Sequence, residues 1–421
     1  MSTASATAGV RVPRRAGRLF RNLGWLGVSE AMGRVSRLVT AIALARVFLP
    51  EDFGIVATAL TTHDLVRALG SAGLGIKIIQ ALPQELQQVC TVANRLNWIF
   101  ASALFVIQSA LAYPIALAAG SPELGWMIFS LAFLHLMFPW SMVSVFLVQR
   151  ANGLRLTGLI GGSTLLVDNI ATAALAIAGF GVWSVIVPRF ASTLLWVLAY
   201  RAARPWAPTR ESGWAGWQSV LDYSWRVFGV EVLKTLRVTL DKPLIGLMFG
   251  VQTLGIYYFS FNAGLGISQS ILGALSVALL PHLCDTRAGS GVFRAHARST
   301  LRSVALTVPL IILAQALAVP FYVPILFGTE WASAVPVVMV LCLSAMPRAL
   351  SDACSQILRA AGRPGADLAW NVVLTVLLGL GMAAAAPFGL IGVAWSMVIV
   401  HVVAVPVFVL WTFKRGIAHM D

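Results

Sequence analysis

LARVFLPEDFGIVATA, residues 44–59, joins two apolar runs through a short acidic turn, and IGLMFGVQTLGIYYFS, residues 245–260, echoes it 201 residues later. At that offset Phe48 coincides with Phe249, Gly54 with Gly255, Ile55 with Ile256, and the acid Glu30 with Glu231. A helix–turn–helix unit that recurs in both halves predicts a chain built as two repeats of one plan.

The composition sets the class. Of 421 residues 58% are hydrophobic and only 11% are charged, with a mean hydropathy of +0.84, which is far from an ordinary soluble domain. Crossing about 30 Å of hydrocarbon takes roughly 20 helical residues. Runs of that kind fall near 23–48, 53–80, 90–115, 124–148, 157–178, 181–201, 223–249, 253–280, 303–326, 333–358, 367–386 and 390–413. The expected fold is therefore an all-α polytopic membrane protein of about twelve transmembrane helices. Its domains are a basic tail at 1–22, an N-terminal six-helix lobe at 23–201, an interlobe linker at 202–222, a C-terminal six-helix lobe at 223–413 and a second tail at 414–421.

The net charge of +14 follows topology rather than a nucleic-acid surface. Eighteen of the 30 Lys and Arg residues sit in the first tail, in four of the five loops expected on its side and in the last tail, while opposite loops such as Leu49–Asp52 and Ala119–Glu123 carry essentially none. Short cytoplasmic loops collect Lys and Arg, so both termini are expected in the cytoplasm. The long charged stretch before the first run, and Glu30, Arg34 and Arg37 within it, do not read as a cleaved signal peptide. Cys90, Cys284, Cys342 and Cys354 have no paired spacing, which gives neither a disulfide framework nor a metal site. No cofactor is implied, and no loop is long enough for a soluble catalytic domain.

Charges inside the spans are the informative residues, since a bilayer penalises each by roughly 2.5–3.5 kcal/mol at a helix centre. Arg46, Lys77 and Arg95 lie near span ends, where snorkelling accounts for them. Glu30, Arg34 and Arg37 fall within about 60° of one helix face. In the second span Asp64 and Arg67 stand at i, i+3 beside His63, and such pairs face one another. The seventh carries Asp222, Arg226, Lys234, Arg237 and Asp241 within about 120°, with Glu231 off to one side. The tenth carries Arg348, Asp352, Gln356 and Arg359 within about 80°. Each acid–base pair alone reads equally as glue between helices. The set as a whole leaves Lys234 and Arg237 over, and four helices, two per half, turn a charged face away from lipid. A water-filled, net basic cavity between two bundles accounts for both facts. His135 and His401 read as packing residues.

A basic cavity within a bilayer suits an anionic cargo with a lipid tail that stays outside. Pyrophosphate is the obvious anion, since arginine holds phosphate oxygens bidentately and lysine acts as a point charge. Parallel repeats related by an axis along the membrane normal, with the site at their interface and one half rocking against the other, are a known transporter plan. The acids Glu30, Asp64, Glu231, Asp241 and Asp352 either hold arginines in place or bind a coupling proton or sodium ion.

ALARVFLPEDFGIVATA at 43–59, LGSAGLGIKIIQ at 69–80 and LDKPLIGLMFGVQTLGIYYFS at 240–260 resemble the polysaccharide-transport flippases of the multidrug/oligosaccharidyl-lipid/polysaccharide superfamily. The resemblance implies two six-helix lobes in a V, moving undecaprenyl-pyrophosphate-linked oligosaccharide across the bacterial inner membrane by alternating access. It makes Arg34, Arg37, Arg67, Arg226, Lys234, Arg237 and Arg348 candidate substrate contacts, by position on the helices rather than by a matched motif. It implies lipid-linked oligosaccharide and membrane lipids as partners, with polysaccharide polymerase and chain-length proteins as further candidates. Twelve spans rather than fourteen argue against a lipid II cargo. Two rivals stay open at this point: a cation-coupled multidrug exporter of the same superfamily, which would need an acidic or apolar cavity, and a membrane polysaccharide polymerase or glycosyltransferase, which would need a larger external loop.

Overall fold

The computed structural model describes residues 32–70, 74–151, 153–208, 238–266 and 290–416, with single positions between them. Helix α1 covers 32–47 and α2 Pro50–Leu69; α3 is Leu74–Gln80, α4 Leu86–Ala119, α5 Pro122–Met137, α6 Met142–Arg150, α7 Leu154–Ile177 and α8 Trp183–Ala203. In the second half come α9 at Asp241–Ser260, α10 at Ser290–Tyr322, α11 at Val335–Ala360, α12 at Pro364–Ala385 and α13 at Gly389–Trp411. No strand occurs among the described residues. Eight stretches within them are long and apolar enough to cross a bilayer.

The acidic turn that opens the diagnostic segment is a helix start. Pro50 occupies the first position of α2, Glu51 and Asp52 lie in its first turn, and the Leu49 N–H donates to Asp52 Oδ2 at 2.8 Å. Proline costs no hydrogen bond there and carboxylates offset the positive helix end. The equivalent turn in the second half is made by Gly250 at φ 80° and ψ 177°. That backbone is open essentially to glycine alone, and it splits α9 into the end of one helix and the start of the next. Two expected spans are likewise interrupted: 53–80 is α2 plus α3, and 124–148 is α5 plus α6 with a 3₁₀ turn at Phe138–Trp140.

The two halves pack in the same way. Helix α4 pairs with α5 and α7 with α8; in the second half α10 pairs with α11 and α12 with α13. The halves meet where α2 crosses α9. Trp206 Nε1 donates to Gln87 Oε1 at 3.0 Å and Gln87 Nε2 to the Ala207 carbonyl at 3.1 Å, which ties the start of the interlobe connection to α4.

Candidate substrate cavity and its seal

One end of the interlobe contact is closed by aromatic residues from both lobes. Phe53 of α2 meets Trp331 edge-on at 5.0 Å and Phe259 of α9 at 5.9 Å, and Phe259 stacks on Trp331 at 3.9 Å. Trp331 and Phe259 are almost wholly buried there. The Trp331 Nε1–H donates to the Ala45 carbonyl at 2.8 Å, and Arg46 donates to the carbonyls of Ile325 and Leu326 at 2.7 and 3.0 Å. Those carbonyls belong to the π-helical turn Val323–Phe327, which ends at Gly328 with φ 109°. Arg46, expected merely to snorkel, therefore bridges the lobes at a helix C-terminus, where a cation is favoured.

Each lobe also holds a polar chamber. The first, of about 250 Å³, lies among α2, α7 and α8 and includes Asp64, Arg67, Asp168, Arg189 and Ser192. Arg67 stands 3.5 Å from Asp64, and both side chains are substantially exposed, at 59% and 42%. Ser192 Oγ donates to Asp168 Oδ1 at 3.3 Å. The second, of about 320 Å³, includes Asp241, Arg348, Ser351, Asp352 and His401. There Tyr257 Oη donates to Asp241 Oδ2 at 2.5 Å, and Lys242 Nζ lies 3.6 Å from Asp241 Oδ1 and 4.6 Å from the Phe261 ring centre.

Arg34 and Arg37 project from α1, with Arg37 exposed and its Nε donating to the Gly33 carbonyl at 3.2 Å. The sequence-derived candidates thus separate into α1 (Arg34, Arg37), the first chamber (Asp64, Arg67) and the second chamber (Asp241, Arg348, Asp352). Glu30, Arg226, Glu231, Lys234 and Arg237 lie outside the described residues. Arg359, assigned to the tenth-helix stripe, turns instead to Asp367 at the start of α12, 2.8 Å away. Its place in the last turn of α11 makes it a clamp between adjacent helices.

Sequence reasoning missed Asp168, Arg189 and Lys242. Asp168 and Arg189 stand on neighbouring helices without a charged partner at helical spacing on their own, so a search for stripes along single helices passes over them. It also missed a buried cluster beside the first chamber. His63 Nδ1 and His135 Nε2 both lie at hydrogen-bond distance from Gln108 Oε1, at 3.2 and 2.8 Å, while Gln108 Nε2 donates to the Ile128 carbonyl. The two rings stack at 4.7 Å.

Two bundles of like plan, a sealed junction and a charged chamber in each lobe define a two-lobed membrane transporter. Residues 43–336 match the family model described as "Polysaccharide biosynthesis protein", and the chain belongs to that family. It is 27% identical to the succinoglycan biosynthesis transport protein ExoT of Rhizobium meliloti (strain 1021) over 86% of this chain and 73% of that protein. It is 21% identical to the lipopolysaccharide biosynthesis protein WzxC of Escherichia coli (strain K12), over 87% of this chain and 75% of that one. The fold matches the lipid II flippase MurJ in its inward closed conformation with a TM-score of 0.76, at 11% identity, covering 94% of this chain and 89% of that one. It also matches an inward-facing multidrug resistance transporter of the MATE family with a TM-score of 0.71, at 14% identity, covering 92% and 95%.

Proposed function

We propose that this protein is a flippase that carries undecaprenyl-pyrophosphate-linked oligosaccharide repeat units across the bacterial inner membrane for surface polysaccharide assembly. The observation that carries the reading is the placing of Arg37 and Arg67, both exposed, on the two helices that also form the interlobe seal. Exposed cations at membrane depth need water or an anion, and a cleft beside a seal supplies both. The cargo class comes from the family and from ExoT, named as a transport protein of succinoglycan biosynthesis.

On the charge-based topology both termini are cytoplasmic and the seal at Pro50 and Val251 is the periplasmic gate, so this conformation presents its cavity to the cytoplasm. Pyrophosphate or acidic sugar binds the arginines of α1 and α2 and the basic groups of the second lobe, with Arg226, Lys234 and Arg237 among them, while the polyprenyl tail stays in lipid. Alternating access needs no covalent step, so the protein works as a transporter rather than an enzyme. The domain limits at 22, 201, 222 and 413 follow from the same topology. Asp64 and Asp241 each lie against a basic group, which supports a structural role for these acids over ion coupling. Polymerase and chain-length proteins remain partners of the pathway by this reading. The expected net basic cavity is not what the described chambers carry: Asp64 and Asp168 balance Arg67 and Arg189 in the first, and Asp241 and Asp352 outnumber Arg348 in the second, so the preference over the multidrug alternative rests on the family and its polysaccharide-transport relatives.

The test is deletion of the gene with analysis of surface glycan and leaflet-resolved labelling of lipid-linked oligosaccharide. Loss of surface glycan with repeat units held in the cytoplasmic leaflet is expected. Unchanged glycan, or repeat units reaching the periplasmic leaflet unpolymerised, would end the proposal.

A further inference from the structure

The geometry points to the first-lobe chamber as a binding subsite for a single acidic sugar ring of the cargo, a refinement that rests on the flippase reading. Arg189, Ser192 and Trp196 recur at i, i+3 and i+7 on α8, and so share one face of it. Asp168 of α7 and Asp64 and Arg67 of α2 complete the lining.

The chemistry is that of a polyhydroxylated ring carrying a carboxylate. Trp196 supplies a flat apolar wall, held in orientation by Phe138 at 5.5 Å and Tyr200 at 5.0 Å. Asp64 and Asp168 are acceptors for ring hydroxyls, and the Ser192 hydroxyl both donates and accepts. One donor is left over in an otherwise charge-balanced lining, in which Arg189 lies within electrostatic reach of Asp168. Asp64 lies against Arg67, Asp168 accepts from Ser192, and the buried Nε of Arg189 has no hydrogen-bond acceptor among the described residues. A guanidinium offers five N–H groups in a fixed fork that matches a carboxylate. At about 250 Å³ the chamber is smaller than the usual drug-sized cleft, and one ring is what it holds.

The chamber lies near the second lobe. Arg189 and Asp64 both act electrostatically on Tyr258, which stands on α9 of the second lobe. A sugar in the chamber therefore sits beside the interlobe cleft, where it would report the identity of the repeat unit before the lobes rock.

The test uses the full chain in lipid nanodiscs, with methyl glucuronoside and methyl glucoside as probes in saturation-transfer NMR. The acidic probe is expected to bind the wild type and to lose about tenfold or more in affinity in Arg189→Gln, the scale of a charge-assisted bidentate contact. The neutral probe should bind weakly and be insensitive to that change. Arg189→Lys, which keeps the charge, and Trp196→Phe, which keeps a ring, guard against misfolding and should each weaken the acidic probe. No binding of glucuronoside to the wild type, equal binding by Arg189→Gln, or equal binding of the two probes would overturn the subsite. If such a result came with wild-type protein that restores surface glycan to a deletion strain, the subsite alone would fall; failure of that restoration would instead remove the flippase reading.

Discussion

Gly54 and Gly255, the pair that coincides between the two repeats, pack directly against one another across the lobe boundary. A β-carbon on Gly255 would lie 2.8 Å from the Gly54 backbone nitrogen and collide with the Pro50 carbonyl; one on Gly54 would lie 2.7 Å from Val251 Cγ1 and collide with the Val251 carbonyl. The obstacles are largely backbone, which cannot step aside as a flexible side-chain tip can. Alanine at either site is therefore expected to hold the sealed end apart. Spin labels at Tyr113 and Phe388, each 75% exposed, would measure this by electron-electron distance. The distribution should move to longer distances in Gly255→Ala, and an unchanged distribution would show that the glycines do not limit closure.

The polar latches at the same end predict a smaller effect. Arg46→Ala removes two hydrogen bonds from a cation to helix-end carbonyls, each charge-assisted bond contributing about 1.5–3 kcal/mol at most and less at an exposed site. Trp331→Phe removes one neutral bond to Ala45 and keeps the stack on Phe259, a loss of about 0.5–1.5 kcal/mol. With the same labels, Arg46→Ala should enlarge the long-distance population more than Trp331→Phe does. The reverse order would mean that the indole bond, not the arginine, holds the seal.

Much of this was legible in the sequence because each deciding signal is local. The apolar runs, the Pro50–Asp52 helix start and the recurrence of Gly54 at Gly255 can all be read along one stretch of chain. Asp64 and Arg67 could be paired for the same reason, being three residues apart on one helix. What escaped depends on which helices become neighbours. Asp168 and Arg189 share a chamber only because α7 packs on α8, and His63 stacks on His135 only because α2 packs on α5, with Gln108 of a third helix bonded to both rings. Arg46 looked like an end-of-span residue since its acceptors lie 279 and 280 residues away. Arg359 had the correct spacing for the charged stripe, but a nearer acid at Asp367 captured it.

The Gln108 cluster yields a stability prediction. Gln108 is fully buried, and its side-chain oxygen is the hydrogen-bond acceptor for two stacked histidines. Gln108→Leu keeps the volume but strands two ring N–H groups, each costing about 1–3 kcal/mol when buried without a partner, while the Ile128 carbonyl keeps its place in the hydrogen-bond ladder of α5. Gln108→Glu keeps an acceptor in place. Thermal unfolding of the purified protein should show a clear drop in Tm for the leucine variant and a smaller one for the glutamate variant. Equal melting of Gln108→Leu and wild type would show that the cluster is indifferent to stability.

The charge reading makes its strongest prediction at Arg37 and Arg237, one from each half. Arg37 is exposed on α1, with its Nε donating to the Gly33 carbonyl one turn earlier, and the packed face of the helix is made by other residues, among them Thr40, which donates to the Asn169 carbonyl. Arg237 is proposed on sequence grounds alone as its partner across the cavity. Removing either cation takes away a contact worth about 1.5–3 kcal/mol toward an anionic group, which corresponds to roughly tenfold or more in affinity for the pyrophosphate-bearing cargo. Surface glycan in cells carrying Arg37→Gln or Arg237→Gln is expected to fall at least about tenfold on that scale, with the protein present in the membrane at wild-type abundance on immunoblots. Cells carrying both substitutions with normal surface polysaccharide would show that these cations do not hold the cargo, and the net positive charge of the spans would then have to serve topology alone.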